Sequence, residues 1–132
     1  MSMEAGVVLG WKGVVGDSEE EPLYWHTPGD RSGTALPDSR DLWDFMWKNR
    51  DRITGFAHTH PGFGLPSPSH TDLTTFAAIE SGLGSRLDWW ILSSDGFIVL
   101  RRVDLKYTIF EAGLWPLEEP IWMDELRELS QY

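Results

Sequence analysis

The chain has no cysteine among its 132 residues. It therefore forms no disulfide and offers neither a thiolate ligand nor a thiol nucleophile, and its redox compartment goes unread. It is also short of positive charge, with 11 Lys and Arg against 21 Asp and Glu and a net charge of −10. Nucleic-acid binding rests on basic contacts to phosphate and is disfavoured. No apolar run approaches the roughly 18 residues of a membrane span, and no segment reads as a signal peptide. A soluble, cytoplasmic protein without a membrane partner is the expectation. There is no Gly-x-Ser-x-Gly elbow, which leaves serine hydrolase chemistry without a nucleophile. Repeats, low-complexity tracts and linkers are missing as well. With 41% hydrophobic residues, the chain is expected to bury one core as a single domain over 1–132.

What is present is concentrated chemistry. His58-Thr59-His60-Pro61 is followed by Gly62-Phe63-Gly64-Leu65-Pro66-Ser67-Pro68 and then by Ser69-His70-Thr71-Asp72. The apolar run Ile53-Thr54-Gly55-Phe56-Ala57 leads into the histidines as a strand, so His58 and His60, at i and i+2, share a face and Thr59 turns to the other. Residues 61–68 are a loop by their proline and glycine content. Ser69-x-x-Asp72 reads as a capping box at the start of a helix in which Leu73, Phe76, Ala77 and Glu80 fall at i, i+3, i+4 and i+7 as one stripe, ended by Gly82. A catalytic zinc takes three N or O ligands at about 2.0–2.2 Å and keeps a position for water. His58, His60 and Asp72 make such a set. The metal lowers the pKa of water from about 15.7 to about 7 and polarises a carbonyl, so no activated Ser or Cys is needed. The remaining histidines are not required: His26 reads as a surface or core-edge residue and His70 as a solvent-facing member of the first helical turn.

At these residues the chain resembles the JAMM zinc metalloproteases, also called the MPN-plus or JAB-domain family, whose signature is His-x-His-Pro, a loop, then Pro-Ser-x-x-Asp. Eight residues stand between His60 and Ser69, one more than is usual there. The resemblance implies zinc held by His58, His60 and Asp72, with Ser69 steadying the oxyanion or the bound water. It implies a metallo-isopeptidase or peptidase that cuts the C-terminal tail of a ubiquitin-like or other small protein modifier. Over about residues 4–103 the order of elements is similar too, and Met3-Glu4-Ala5-Gly6-Val7-Val8-Leu9-Gly10 resembles the family's first strand. A carboxylate there is the family's general acid/base, which makes Glu4 the candidate, standing two residues before Gly6 where the family has three. Glu19, Glu20 and Glu21 are the other acids that lie near in sequence. The fold so implied is a mixed β-sheet flanked by helices, cytidine-deaminase-like in type. Alternatives are a non-catalytic zinc-containing binding module of MPN type, a phage or cell-wall peptidase with the same domain, and a subunit that acts with a partner or as a homo-oligomer.

The remaining elements follow from pattern. Strands are expected over 6–12 and 22–27 around an acidic turn over 14–21, and again over 87–93 and 97–103 around Ser94-Asp95-Gly96. Asp38-Ser39 starts a helix with Leu42, Phe45, Met46 and Asn49 on one face. Residues 104–132 read as a C-terminal extension in which Pro116 and Pro120 frame Trp115 and Leu117, and Ile121, Met123, Leu126 and Leu129 form a short amphipathic helix towards Tyr132. Of the eight tryptophans, one of Trp89 and Trp90 is expected in the core, and Trp43, Trp47, Trp115 and Trp122 are expected to cluster there. An exposed aromatic near Phe63 would suit contact with an extended peptide tail.

Overall fold

Side-chain alternation decides how this sheet must be covered. In β1 (Gly6–Gly10) all five residues are buried, Val7 and Leu9 in one apolar cluster and Val8 in another. The same division runs through β4 (Asp88–Leu92), where Trp89 and Ile91 oppose Trp90 and Leu92, and through β5 (Gly96–Val103), where Ile98 and Leu100 oppose Phe97 and Val99. Strands apolar on both faces need a layer on each side. The computed structural model, which describes residues 3–13, 20–114 and 119–130, supplies both layers. Glu19, Trp115, Pro116, Leu117, Tyr132 and most of the acidic turn lie outside the described residues.

The result is a mixed α/β domain with one six-stranded sheet, ordered β2-β1-β3-β4-β5-β6, where β2 is Glu21–His26, β3 is Ile53–Thr59 and β6 is Lys106–Leu114. Only β3 and β4 run parallel, joined through helix α2 (His70–Leu83), as a parallel pair requires a long crossover. Helix α1 (Arg40–Lys48) and α2 pack Leu42, Met46, Phe76 and Leu83 on one face. Helix α3 (Ile121–Leu129) packs Trp122, Met123 and Leu126 on the other. Among the described residues no helix is long and apolar enough to cross a membrane.

Three expectations change. The stretch 106–114, expected only within an extension, is a full edge strand that pairs with β5 from Val103↔Lys106 to Gly96↔Leu114. Most of its side chains are exposed on both faces, so it carries no alternation to read. Helix α2 does not stop at Gly82. It continues to Leu83 and ends on Gly84, whose φ of 73° is the left-handed conformation that glycine adopts freely, while Gly82 gives room to the Trp43 ring, which a Cβ would meet at 2.7 Å. Trp43 and Trp47 are not core residues, being 38% and 45% exposed, whereas Trp122 and Trp89 are buried.

Two buried charges tie the layers together. The Arg127 guanidinium pairs with Glu119 at 2.6 Å and donates to the backbone carbonyls of Ser93 and Gly96, holding α3 to the β4–β5 turn. On the other face the Glu80 carboxylate accepts from Leu87 N at 2.8 Å, from Trp89 Nε1 at 3.1 Å and from the Tyr107 hydroxyl. It joins α2 to β4 and β6. Glu80→Ala strips two buried N–H groups of their acceptor, at about 1–3 kcal/mol each. Urea unfolding should show a loss of about 3 kcal/mol, and a loss below about 1 kcal/mol would mean that water satisfies these donors instead.

Candidate metal centre

The site is assembled by strand register. Gly6 pairs with His58 across the antiparallel β1–β3 ladder, and Thr59 N donates to Ala5 O at 3.0 Å. One step further along this register Glu4 faces His60, and directly opposed residues point to the same side of a sheet. Glu4, His58 and His60 therefore converge, with Phe56 and Val8 behind them in the α1/α2 core. Gly6 is required at this crossing, because a Cβ there would meet Phe56 Cζ at 2.5 Å.

Helix α2 brings the fourth group. Ser69 is its N-cap and the capping box is complete: Ser69 Oγ accepts from Asp72 N at 3.0 Å and Asp72 Oδ2 accepts from Ser69 N at 2.9 Å. The carboxylate of Asp72 at the positive end of the helix is thereby turned towards the two imidazoles. His58 Nε2 lies 3.3 Å from Asp72 Oδ1, His60 Nε2 lies 3.1 Å from Asp72 Oδ2, and the two Nε2 atoms are 3.0 Å apart. The ligand atoms of Glu4, His58 and His60 all fall within 4.8 Å of one another. Glu4, His58 and His60 form a group that can hold a metal ion, and the Asp72 carboxylate lies against both imidazoles.

Hydrogen bonds alone account poorly for that triangle. Each Nε2 carries a single in-plane hydrogen or lone pair, so it serves one neighbour well and not two. If both donate to Asp72, two N–H groups are crowded together at 3.0 Å. A cation at the centre resolves the conflict, since each atom then directs one lone pair inwards. Ligands at about 2.0–2.2 Å from a tetrahedral zinc stand about 3.3 Å or slightly more from one another, and the separations found here are close to that.

The protonation preferences of the metal-free site are divided. Burial lowers the His58 pKa from 6.5 despite the Asp72 hydrogen bond, which favours the neutral imidazole that a metal needs. His60 is also penalised by burial, but its bond to Asp72, the charges of Asp72 and Glu4 and a backbone bond at Ser67 outweigh that and raise it. For Asp72 burial opposes ionisation, yet the hydrogen bonds from His58, His60 and Ser69 hold it well below the usual carboxylate range. Burial pushes Glu4 up to about 7, partly offset by His60 and reinforced by Asp72.

These groups line a cleft of about 610 Å³, walled on one side by 33–37 and on the other by Thr71, Thr75 and Ile79 of α2. Ser69 lines it too, so all five site residues read from the sequence meet in one place. Of the competing acids Glu19 lies outside the described residues, and Glu20 and Glu21 do not join them. Glu20 accepts from Thr54 Oγ1 at 2.7 Å, lies near Asp88 and Arg101, and is not a lining residue; Glu21 is exposed in β2. His70 is exposed at the start of α2, as expected. His26 is buried at the end of β2 and contacts Pro37 O through Nε2 at 2.6 Å, so it anchors the wall of the cleft.

Two groups of residues went unread in the sequence. The strap before α1 fixes the strand that carries Glu4: Glu4 N donates to Ser32 O at 2.8 Å and Arg31 Nη1 donates to Glu4 O at 3.3 Å and to Leu129 O at 3.0 Å. Thr59 and Ser130 form a second support. Neither belongs to a local motif, and only the Thr59 side-chain direction was legible from strand alternation.

Replacing His60 or Asp72 by Ala should abolish metal binding, measured by elemental analysis after exposure to zinc and dialysis. Because the His60 proton must leave before the metal enters, affinity should fall about tenfold for each pH unit below its raised pKa and level off above it. Competition against a chromophoric chelator at pH 6 and pH 8 reads this directly, and equal affinities would contradict the assignment of His60. No family model matches this chain and no curated protein matches it.

Proposed function

We propose that this chain is a zinc-dependent peptidase or isopeptidase of the JAMM type, hydrolysing an amide at the C-terminal tail of a ubiquitin-like or other small protein modifier. The observation that carries the reading is the closed triangle of His58, His60 and Asp72 with a buried carboxyl group, Glu4, beside it. Three N and O ligands leave a position for a reacting water, the mark of a catalytic rather than a structural zinc site. The mixed sheet with helices on both faces suits the cytidine-deaminase-like JAB/MPN architecture.

Zinc bound there supplies a Lewis acid and lowers the pKa of water to about 7. The chain's own residues do the rest. Glu4 is 8% exposed and burial pushes it up to about 7 in the metal-free site; it is the group assigned to accept a proton from the attacking water and return it to the leaving amine. Ser69 Oγ already accepts from Asp72 N, and its hydroxyl hydrogen is the donor assigned to the substrate's carbonyl oxygen. An extended tail fits between 33–37 and the first turns of α2. Phe63, 87% exposed, stands on a loop pinned to the β4–β5 turn by Gly64 N to Asp95 Oδ1 at 2.6 Å and Ser94 N to Gly62 O at 3.0 Å. We assign it to contact with the peptide beyond the cleft. A non-catalytic zinc module would have Glu4 close the site as a fourth ligand, and the enzyme reading leaves that carboxylate to the reacting water.

The test pairs metal content with turnover. The purified protein should hold about one zinc per chain and cleave an amide at the tail of a ubiquitin-like protein in a chelator-sensitive way. Glu4→Gln should keep the zinc and lose about 10²–10⁴-fold in kcat. Full activity in that variant would remove Glu4 from the mechanism, and zinc without cleavage of any tail amide would favour a binding module.

A further inference from the structure

The residue between the two histidines has its own bonding pattern on the reverse side of the sheet. Thr59 is fully buried. Its Oγ1 accepts from Ala5 N at 2.9 Å and lies 2.7 Å from Ser130 Oγ, which in turn lies 3.0 Å from Leu126 O. The proton order in this chain is fixed by its two ends. Leu126 O only accepts, so the Ser130 hydrogen goes to it. Ala5 N only donates, so the Thr59 hydrogen is left for Ser130 Oγ. The line therefore runs from Ala5 N–H to Thr59 O–H to Ser130 O–H to the Leu126 carbonyl, with one donor and one acceptor spent at each hydroxyl.

This line ends on the residue next to Glu4. Met3 N also donates to Ser130 O at 3.0 Å, so the peptide carrying Glu4 is gripped on either side by groups that depend on Thr59 and on the last turn of α3. We infer that Thr59 is a positioning residue: through Ala5, and backed by Ser130, it holds Glu4 over the His58–His60 pair. The role rests on the proposed reading of the site and extends it to α3, which touches no reacting group. It also gives a physical reason for threonine at this position. Valine has the same shape but would leave the Ala5 N–H without a partner, and serine would keep both bonds.

The test uses the full chain as wild type, Thr59→Val, Thr59→Ser, Glu4→Gln and the Thr59→Val/Glu4→Gln double variant. Each is loaded with zinc for kinetics on a ubiquitin-tail amide and with cobalt for its visible spectrum at one pH. Thr59→Val should keep one metal per chain and an unchanged KM, lose about 10–100-fold in kcat, and shift the cobalt bands towards those of Glu4→Gln. Thr59→Ser should resemble wild type. In the Glu4→Gln background the Thr59→Val change should have no further effect, because a residue acting only through Glu4 has nothing left to act on. Wild-type kcat and spectrum in Thr59→Val would overturn the role, as would an effect of equal size in both backgrounds. Should Thr59→Val fail to fold, Ser130→Ala removes the acceptor of the Thr59 proton and should move kcat and spectrum the same way by less; unchanged values there would overturn the role too. A chain that takes up no cobalt, or one whose spectrum and turnover ignore Glu4→Gln, would instead show that the reading of the site had failed, and the positioning role with it.

Discussion

The candidate site depends on one register, the pairing of Gly6 with His58 across β1 and β3. Because strand side chains alternate with a period of two, a slip of one residue would turn Glu4 to the α3 face and bring Ala5, now buried in the α3 cluster, to the cleft. Two features hold the register at the position where it matters. Gly6 lets β1 pass the Phe56 ring, which a Cβ there would have to displace, and Thr59 bonds Ala5 through both its backbone and its side chain. The apolar pattern of β1 does the remainder, since Val7 and Leu9 are matched to one face and Val8 to the other.

The two layers of helix divide the work. The α1/α2 face carries the site, and its buried anchor is Glu80, which fixes the far end of α2 to β4 while Ser69 and Asp72 fix the near end. A helix held at both ends aims its N-terminal carboxylate with little freedom. The α3 face carries the supports: Arg127 locks the helix to the β4–β5 turn and Ser130 reaches Thr59. The same β4–β5 turn binds the loop with Phe63 through Asp95, Ser93 and Ser94. The loop with Phe63 and the segment that carries Glu4 thus share a common footing on α3.

The local chemistry was legible in the sequence and the long-range chemistry was not. His58, His60, Ser69 and Asp72 lie within fifteen residues and announce themselves through strand alternation and a capping box, both short-range rules. Glu4 was legible only as a candidate, because what joins it to the histidines is a pairing between residues 54 positions apart. The misreadings have the same origin. β6 is an exposed edge strand whose pairing with β5 outweighs its weak pattern; the two-residue turn at Asp104 and Leu105, with Asp104 at φ 57°, followed by Tyr-Thr-Ile-Phe, was the signal that marked it. Gly82 resembled a helix stop, but the true cap two residues later is decided by which glycine turns left-handed, and Trp43 needs Gly82 inside the helix. Trp43 and Trp47 fall outside the core because Leu42 and Met46 already fill the buried face of α1.

Charge balance gives the last constraint on what this cleft is for. His58 is buried and shifted towards its neutral form, so it cannot serve as a permanent counter-ion. Asp72 is held ionised and Glu4 is poised near neutrality, which leaves between one and two negative charges in a space walled mainly by Leu36, Phe56, Phe76, Ile79 and Trp89. A proton on His60 offsets part of this, but it leaves the second imidazole and the two Nε2 atoms in conflict. A divalent cation would offset the whole charge and give each inward lone pair a partner. The arrangement therefore leaves a charge imbalance that a cation held by Glu4, His58 and His60 would offset.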